Sequence, residues 1–348
     1  MRPSPFAICL GLILLGTNVA ADEPTIIRFG TVAPEGSAWA REGLAFARDV
    51  EQRTEGRVKV KVYFGGITGD EVQTIEQARR GRVDAIASGG MSCLALAPSL
   101  RVFRVPGLIR SRAEATYVNG RLQRAIDAEF LKSGFINLGE LSIGPDMFFT
   151  KEPVRSMSDL QQQPLWVWDL DPVLAVTLPA MGLQPVPIAL PNALHAFEAG
   201  RVNGFIAVPT AALAFQWSTQ ARYLSDLQLG ILRGCVIVTT RAFDALSVDD
   251  QDALRAAGSK AVARLEEVGS ASDEALLDGL FAKQGVTTVK ASEEFRVELF
   301  AAAAAARAKI PERIVPHSLI LQVLGMLADF RAQTLPRLHD RLSRASSR

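Results

Sequence analysis

Hydrophobic and polar positions in this chain change period several times. Residues 25–32 are rich in apolar and β-branched side chains and read as a strand. From residue 38, Trp39, Gly43, Phe46 and Val50 recur at helical spacing, with Ser37 placed to cap the helix. Residues 57–63 alternate basic side chains with Val58, Val60 and Val62, the two-residue period of a strand with one wet face. A glycine loop, Gly65-Gly66 and Gly69-Asp70, opens a helix over 71–80, and Ala85-Ile86-Ala87 is a short buried strand. Strand, helix, strand, helix, strand predicts a parallel α/β unit.

The unit recurs. Leu165-Trp166-Val167-Trp168 reads as a strand, 172–181 as a helix, 186–188 as a strand and 192–199 as a helix. Both units end alike, in Gly81-Arg82-Val83-Asp84 and Gly200-Arg201-Val202-Asn203, each followed by an apolar run. Glycine takes the left-handed conformation that stops a helix, so both tripeptides mark a helix-to-strand junction. Two similar α/β lobes facing each other form a natural ligand cleft. Between and after the units the pattern predicts a helix within 111–134, a strand over 135–143, a separate short apolar run at 147–150 and a strand over 234–240. Asp249 and Asp250 suit the first turn of a long helix running to about residue 283. A strand over 286–289 and helices over 293–308 and 316–339 complete the chain.

Composition narrows the function. The first 21 residues have one basic residue, a short apolar stretch at 6–16 and small residues Val19-Ala20-Ala21, the layout of a cleavable secretory signal. Without them the chain carries 37 basic and 37 acidic residues. With no cationic run, that balance argues against nucleic acid as a partner. Cys93 and Cys235 remain after the signal; they read either as a disulfide permitted by export or, the favoured reading, as two buried small hydrophobes. His195, His317 and His339 show no metal spacing, so neither a metal nor a cofactor is expected; a Ser-His-Asp assembly stays open, but without a Gly-x-Ser-x-Gly elbow an exported hydrolase is a weak reading.

Several segments together resemble the DctP-type substrate-binding proteins of TRAP transporters, family 7 of the periplasmic solute-binding proteins. They are Ile27-Arg28-Phe29-Gly30, Gly36-Ser37-Ala38-Trp39, Thr54-Glu55-Gly56-Arg57-Val58, the 65–71 loop, both Gly-Arg-Val units, Pro185-Val186-Pro187 and Phe243-Asp244-Ala245-Leu246-Ser247. The resemblance implies an α/β fold of two periplasmic-binding-protein lobes with a long domain-bridging helix. Lobe I is expected at 22–145 plus 231–270, lobe II at 146–230 plus 285–335, the bridging helix at 248–283 and a polar C-terminal tail at 336–348. It also implies a periplasmic monomer that closes over a small molecule, hinging near 143–146 and 227–230, and delivers it to TRAP permease subunits. The alternative is an exported lipid-shuttle or interaction protein with the same fold and no permease.

The chain departs from that family where the ligand would sit. Family members place an Arg in the strand after an Asp-Leu-Lys-Gly turn, where its guanidinium fork grips a substrate carboxylate. Here the turn is Asp159-Leu160-Gln161-Gln162 and the matching position is Trp166. A second family Arg falls at Met147 within about one residue, the family aromatic at Leu190 and the family Asn near Ala207. A carboxylate enclosed without a cation loses roughly several kcal/mol, or ~1,000-fold in affinity. The expected ligand is therefore apolar or aromatic, contacted by Trp166, Met147, Leu190, Ala207, Ser88, Met91, Pro34 and Trp217; the alternative is a closed pocket that Trp166 itself fills. Of Trp166 and Trp168, taken as facing opposite sides of their strand, only Trp166 is expected in the cleft. Asp169 and Asp171 read as a solvated loop.

Overall fold

The structure is a computed structural model that describes residues 23–345; the expected signal segment lies outside them. The first unit is β1 (Thr25–Thr31), α1 (Ala38–Arg53), β2 (Val58–Tyr63), α2 (Glu71–Arg79) and β3 (Ala85–Ser88). Ser37 caps α1 by accepting the Ala40 N–H, and Asp70 and Gln73 form a reciprocal capping box on α2. β1 pairs in parallel with both β2 and β3. Next come α3 (Met91–Leu96), a 3-10 segment (Pro98–Arg104), α4 (Arg112–Lys132) and the long strand β4 (Phe135–Thr150).

The second unit repeats the first: β5 (Pro164–Trp168) pairs in parallel with β6 (Gln184–Ile188) and β7 (Gly204–Ala207). Around these strands lie α5 (Met157–Gln161), α6 (Leu174–Ala180), α7 (Ala193–Glu198) and α8 (Pro209–Ala214). Gly81 and Gly200 have φ of +74° and +68°, the left-handed geometry that both junctions require.

A second long strand, β8 (Tyr223–Thr239), runs antiparallel to β4 from one lobe into the other. The sheet order is β2-β1-β3-β8-β4-β7-β5-β6, with β9 (Thr287–Val289) on β8. The run at 147–150 is thus the end of β4, and the strand expected at 234–240 is the last part of β8. Local signals favour a break at Gly144-Pro145-Asp146, but the β8 ladder carries the strand through it with register shifts at Ser142/Gly144 and Asp146/Met147.

After α9 (Thr240–Asp244), α10 (Val248–Ala275) ties the lobes together. Its Leu254, Ala257 and Ala261 lie in the core of the first lobe. A π turn over Leu276–Leu280 and α11 (Phe281–Lys283) then put Leu276 and Phe281 into the core of the second. Gly258 lets the helix reach the sheet, since a Cβ there would stand 2.7 Å from that of Leu138. Asp273 fastens the crossing: it accepts from the Thr210 N–H and hydroxyl and from Arg112. One carboxylate thereby holds α4 of the first lobe, α8 of the second and the bridging helix.

α12 (Glu293–Arg307) packs on the second lobe. α13 (His317–Ala345) does not: Ile320, Val323 and Leu327 join the first lobe's core, so the 316–335 segment departs from its expected place in lobe II. The helix also continues through most of the segment expected as a polar tail. No described helix is long and apolar enough to cross a membrane.

Cys93 of α3 and Cys235 of β8 form a disulfide, correcting the reading of two separate hydrophobes. Only the sheet order brings them together, because 142 residues separate them in the chain. Replacing both with Ala is expected to lower unfolding free energy by about 2–4 kcal/mol, measured by urea denaturation at equal pH and salt.

Candidate functional site

The strand ends of the two parallel units face each other across a cleft of about 1240 Å³, its open mouth included. From the first lobe, α1 supplies Trp39 and Phe46, the end of β2 leads to Phe64, and β3 runs into Ser88, Gly89 and Met91. From the second, β5 supplies Trp166 and Trp168, β7 supplies Ile206 and Ala207, and the turn after α8 supplies Phe215 and Trp217. Gln216 between those aromatics has φ of +61°, a left-handed turn that brings both rings to the cleft, stacked 5.0 Å apart.

Six of the expected contact residues, Trp166, Leu190, Ala207, Ser88, Met91 and Trp217, line this space; Met147 and Pro34 do not. Met147 is buried in the second lobe's core and its neighbour Asp146 lines the cleft instead. The register shift in β4 decides which of the two turns inward. Pro34 gives way to Ala33. Trp168 lines the cleft together with Trp166, contrary to the opposite-face expectation, because residues two apart on a strand point to one side.

Trp166 is 3% exposed, so only an edge of it meets the cleft. Its indole N–H donates to the Ile188 carbonyl at 3.0 Å, and its ring lies 4.6 Å from that of Trp217. This position holds an aromatic cluster with Phe197 and Phe205 behind it.

Polar side chains on the wall are Thr31, Glu42, Ser88, Arg104 and Asp146, and each has a partner within the protein. Thr31 accepts from the Ala33 N–H, and Glu42 pairs with Arg264 of α10 at 3.5 Å. Ser88 belongs to a network around Glu71, which is 1% exposed. The Glu71 carboxylate accepts the Ser88 hydroxyl and the Gly89 and Ser92 N–H groups, fixing the loop that carries Met91 into the cleft. Burial pushes the Glu71 carboxyl above the usual range, outweighing the three donors that pull it down.

Arg104 ends the 3-10 segment of the first lobe and is buried between two carboxylates. Its Nε lies 2.8 Å and its Nη2 2.6 Å from Asp171, and its Nη1 donates to Asp146. Asp171 belongs to the second lobe, so the guanidinium joins the two lobes. The solvated loop expected for Asp171 is corrected: it is 1% exposed and accepts the Val173 and Leu174 N–H groups at the start of α6. Asp169 is exposed. Arg104, Asp146 and Glu71 escaped the sequence reading as site residues: the first two are single charges with apolar or Pro neighbours, Glu71 is an ordinary helix-start acid beside Asp70, and none of these patterns reveals a distant partner. No group of three or more His, Cys, Asp and Glu among the described residues is placed to hold a metal.

Residues 29–313 match bacterial extracellular solute-binding protein family 7, DctP. The chain belongs to this family. Family 7 proteins are periplasmic receptors that bind small molecules and work with TRAP membrane permeases. A solute-binding protein of Chromohalobacter salexigens is 26% identical over 241 residues, 67% of this chain and 71% of the relative. The sugar acid binding protein DctPAm of Advenella mimigardefordensis, solved with galactonate, superposes with a TM-score of 0.80 at 20% identity, covering 88% of this chain and 99% of its own. A TRAP solute-binding protein of Haemophilus influenzae with bound L-gulonate gives 0.79 at 17% identity, covering 87% and 99%. The shared fold is two α/β lobes, a mixed sheet and a long bridging helix.

Two expectations follow. Trp166→Arg puts a guanidinium into the aromatic cluster without a carboxylate and is expected to destabilise the protein by about 3–5 kcal/mol in chemical denaturation, whatever it does to ligands. The raised Glu71 carboxyl means that the folded state holds its proton where the unfolded chain, near pH 4.3, gives it up. Its contribution to stability is therefore fully present below pH 4.3 and falls as pH rises through the folded value. Glu71→Gln lacks this dependence, so its stability relative to wild type should rise with pH across that window, read from urea midpoints.

Proposed function

We propose that this receptor captures an apolar or aromatic small molecule rather than a simple carboxylate and delivers it to a TRAP permease. The observation that carries the reading is that every charged side chain lining the cleft is already paired inside the protein. A ligand carboxylate would lose its water and meet tryptophan, phenylalanine and an occupied guanidinium. An apolar ligand instead gains roughly 25 cal/mol for each Å² it removes from water, with aromatic stacking in addition. Galactonate and L-gulonate are ligands of the compared proteins; in this chain's cleft the one cation among the described lining residues is occupied by protein carboxylates.

In this reading Trp166, Trp217, Leu190, Ala207, Met91 and Ser88 form the contact surface, with Trp168, Trp39, Phe46 and Phe64 added. The lobes close as rigid bodies about the crossing segments of β4 and β8, where the ladder shifts register. The working form is a periplasmic monomer whose first 21 residues are removed on export.

Native mass spectrometry of the purified protein, followed by solvent extraction, is expected to release a small apolar or aromatic molecule. Sialic acid, C4-dicarboxylates, 2-oxo acids and galactonate should leave the melting temperature unchanged at concentrations that stabilise carboxylate-binding relatives. Saturable stabilisation by any of these acids sinks the proposal.

A further inference from the structure

Arg104 is the only cation among the described residues lining the cleft, and protein carboxylates take up its hydrogen-bonding edge. The two carboxylates are not equivalent. Asp171 stands behind the wall: it does not line the cleft, and while Oδ1 caps α6, Oδ2 takes Arg104 Nε and Nη2. One carboxylate is enough to neutralise one guanidinium, and Asp171 already supplies it. Asp146 stands on the cleft side and takes the remaining Nη1.

Asp146 satisfies Nη1 of a buried guanidinium, and it does so from the cleft side. It is 4% exposed, and burial pushes its carboxyl above the usual range against the pull of Arg104. Asp171 lies close enough to repel it. Its consequence lies in its position on the cleft wall: with Asp171 on Nε and Nη2 and Asp146 on Nη1, the guanidinium offers a ligand no free donor edge. An anion seeking Arg104 must also displace Asp146 and leave that carboxylate buried and unpaired.

We infer that Asp146 occupies the cleft's anion position on Arg104 from within the protein, and that this residue makes the cleft reject anionic ligands in favour of uncharged ones of the same shape. The inference rests on the apolar-cleft reading and names the group that enforces it. Removing the Asp146 charge leaves a neutral Arg104–Asp171 pair with Nη1 free toward the cleft, so anion affinity should appear.

The test uses two naphthalene probes of one skeleton, naphthalene-2-sulfonamide, which is neutral at pH 7, and naphthalene-2-sulfonate, which is anionic. Each displaces the neutral fluorophore N-phenyl-1-naphthylamine from the full-length exported protein. Wild type is expected to prefer the sulfonamide by about 100-fold or more, the scale of a like-charge juxtaposition. Asp146→Asn should cut that preference by about 10-fold or more through a gain for the sulfonate. Adding Arg104→Met to Asp146→Asn should remove the gain. A wild-type preference near one overturns the inference with no variant needed, which covers the case of Asp146→Asn failing to fold. An Asp146→Asn protein that melts cooperatively and keeps the wild-type preference also overturns it, and the apolar-cleft reading survives. If wild type and variant bind neither the fluorophore nor either probe, the apolar-cleft reading falls and takes the inference with it.

Discussion

The ladder between β4 and β8 is the constraint on which the remaining architecture depends. Two parallel α/β units would each satisfy their own backbone, but nothing local would fix one against the other. The antiparallel pair runs through both and makes one continuous sheet. Its backbone hydrogen bonds must remain paired where it passes between the lobes, since an orphaned buried amide is costly. The register shifts at Ser142/Gly144 and Asp146/Met147 let the strands bend there without abandoning the ladder. The cleft lies over that bend, walled by the strand ends of both units.

The same crossing gathers buried charge. Arg104 reaches from the first lobe to Asp171 in the second, and Asp273 on the bridging helix joins Arg112 to Thr210. Both ties link groups on opposite sides of the crossing, so their geometry depends on how the lobes sit. Buried pairs of this kind contribute little net stability, because desolvation cancels much of the attraction. Their effect is on specificity of arrangement: either pair broken leaves a charge without water or partner.

The cleft's chemistry follows from the same accounting of partners. Glu71 satisfies the donors of the β3–α3 loop, Trp166 donates to the Ile188 carbonyl, and Arg104 is held by two carboxylates. What remains for a ligand is the apolar face of aromatic and aliphatic side chains, with the Trp168 indole N–H left without a partner in the protein. The protein thus shares the fold of DctPAm, and its own cleft wall is largely aromatic and aliphatic.

The sequence by itself determined the repeated strand-helix-strand-helix-strand unit, its Gly-Arg-Val junctions, the cap at Ser37 and the long bridging helix. Each is written in nearest-neighbour terms: hydrophobic period, a side-chain cap, a glycine free to take positive φ. It also placed an indole at position 166, because that depends on counting along one strand. Only the tertiary structure decided the continuity of β4 through Gly144-Pro145-Asp146, the docking of α13 on the first lobe and the Cys93–Cys235 bond. It alone decided that Asp146 faces the cleft while Met147 is core, and that Asp171 is buried against Arg104. These outcomes depend on which distant segment lies alongside: Arg104 and Asp146 are 42 residues apart, the two cysteines 142, and Arg331 of α13 is 217 from Glu114 of α4, so no local period encodes them.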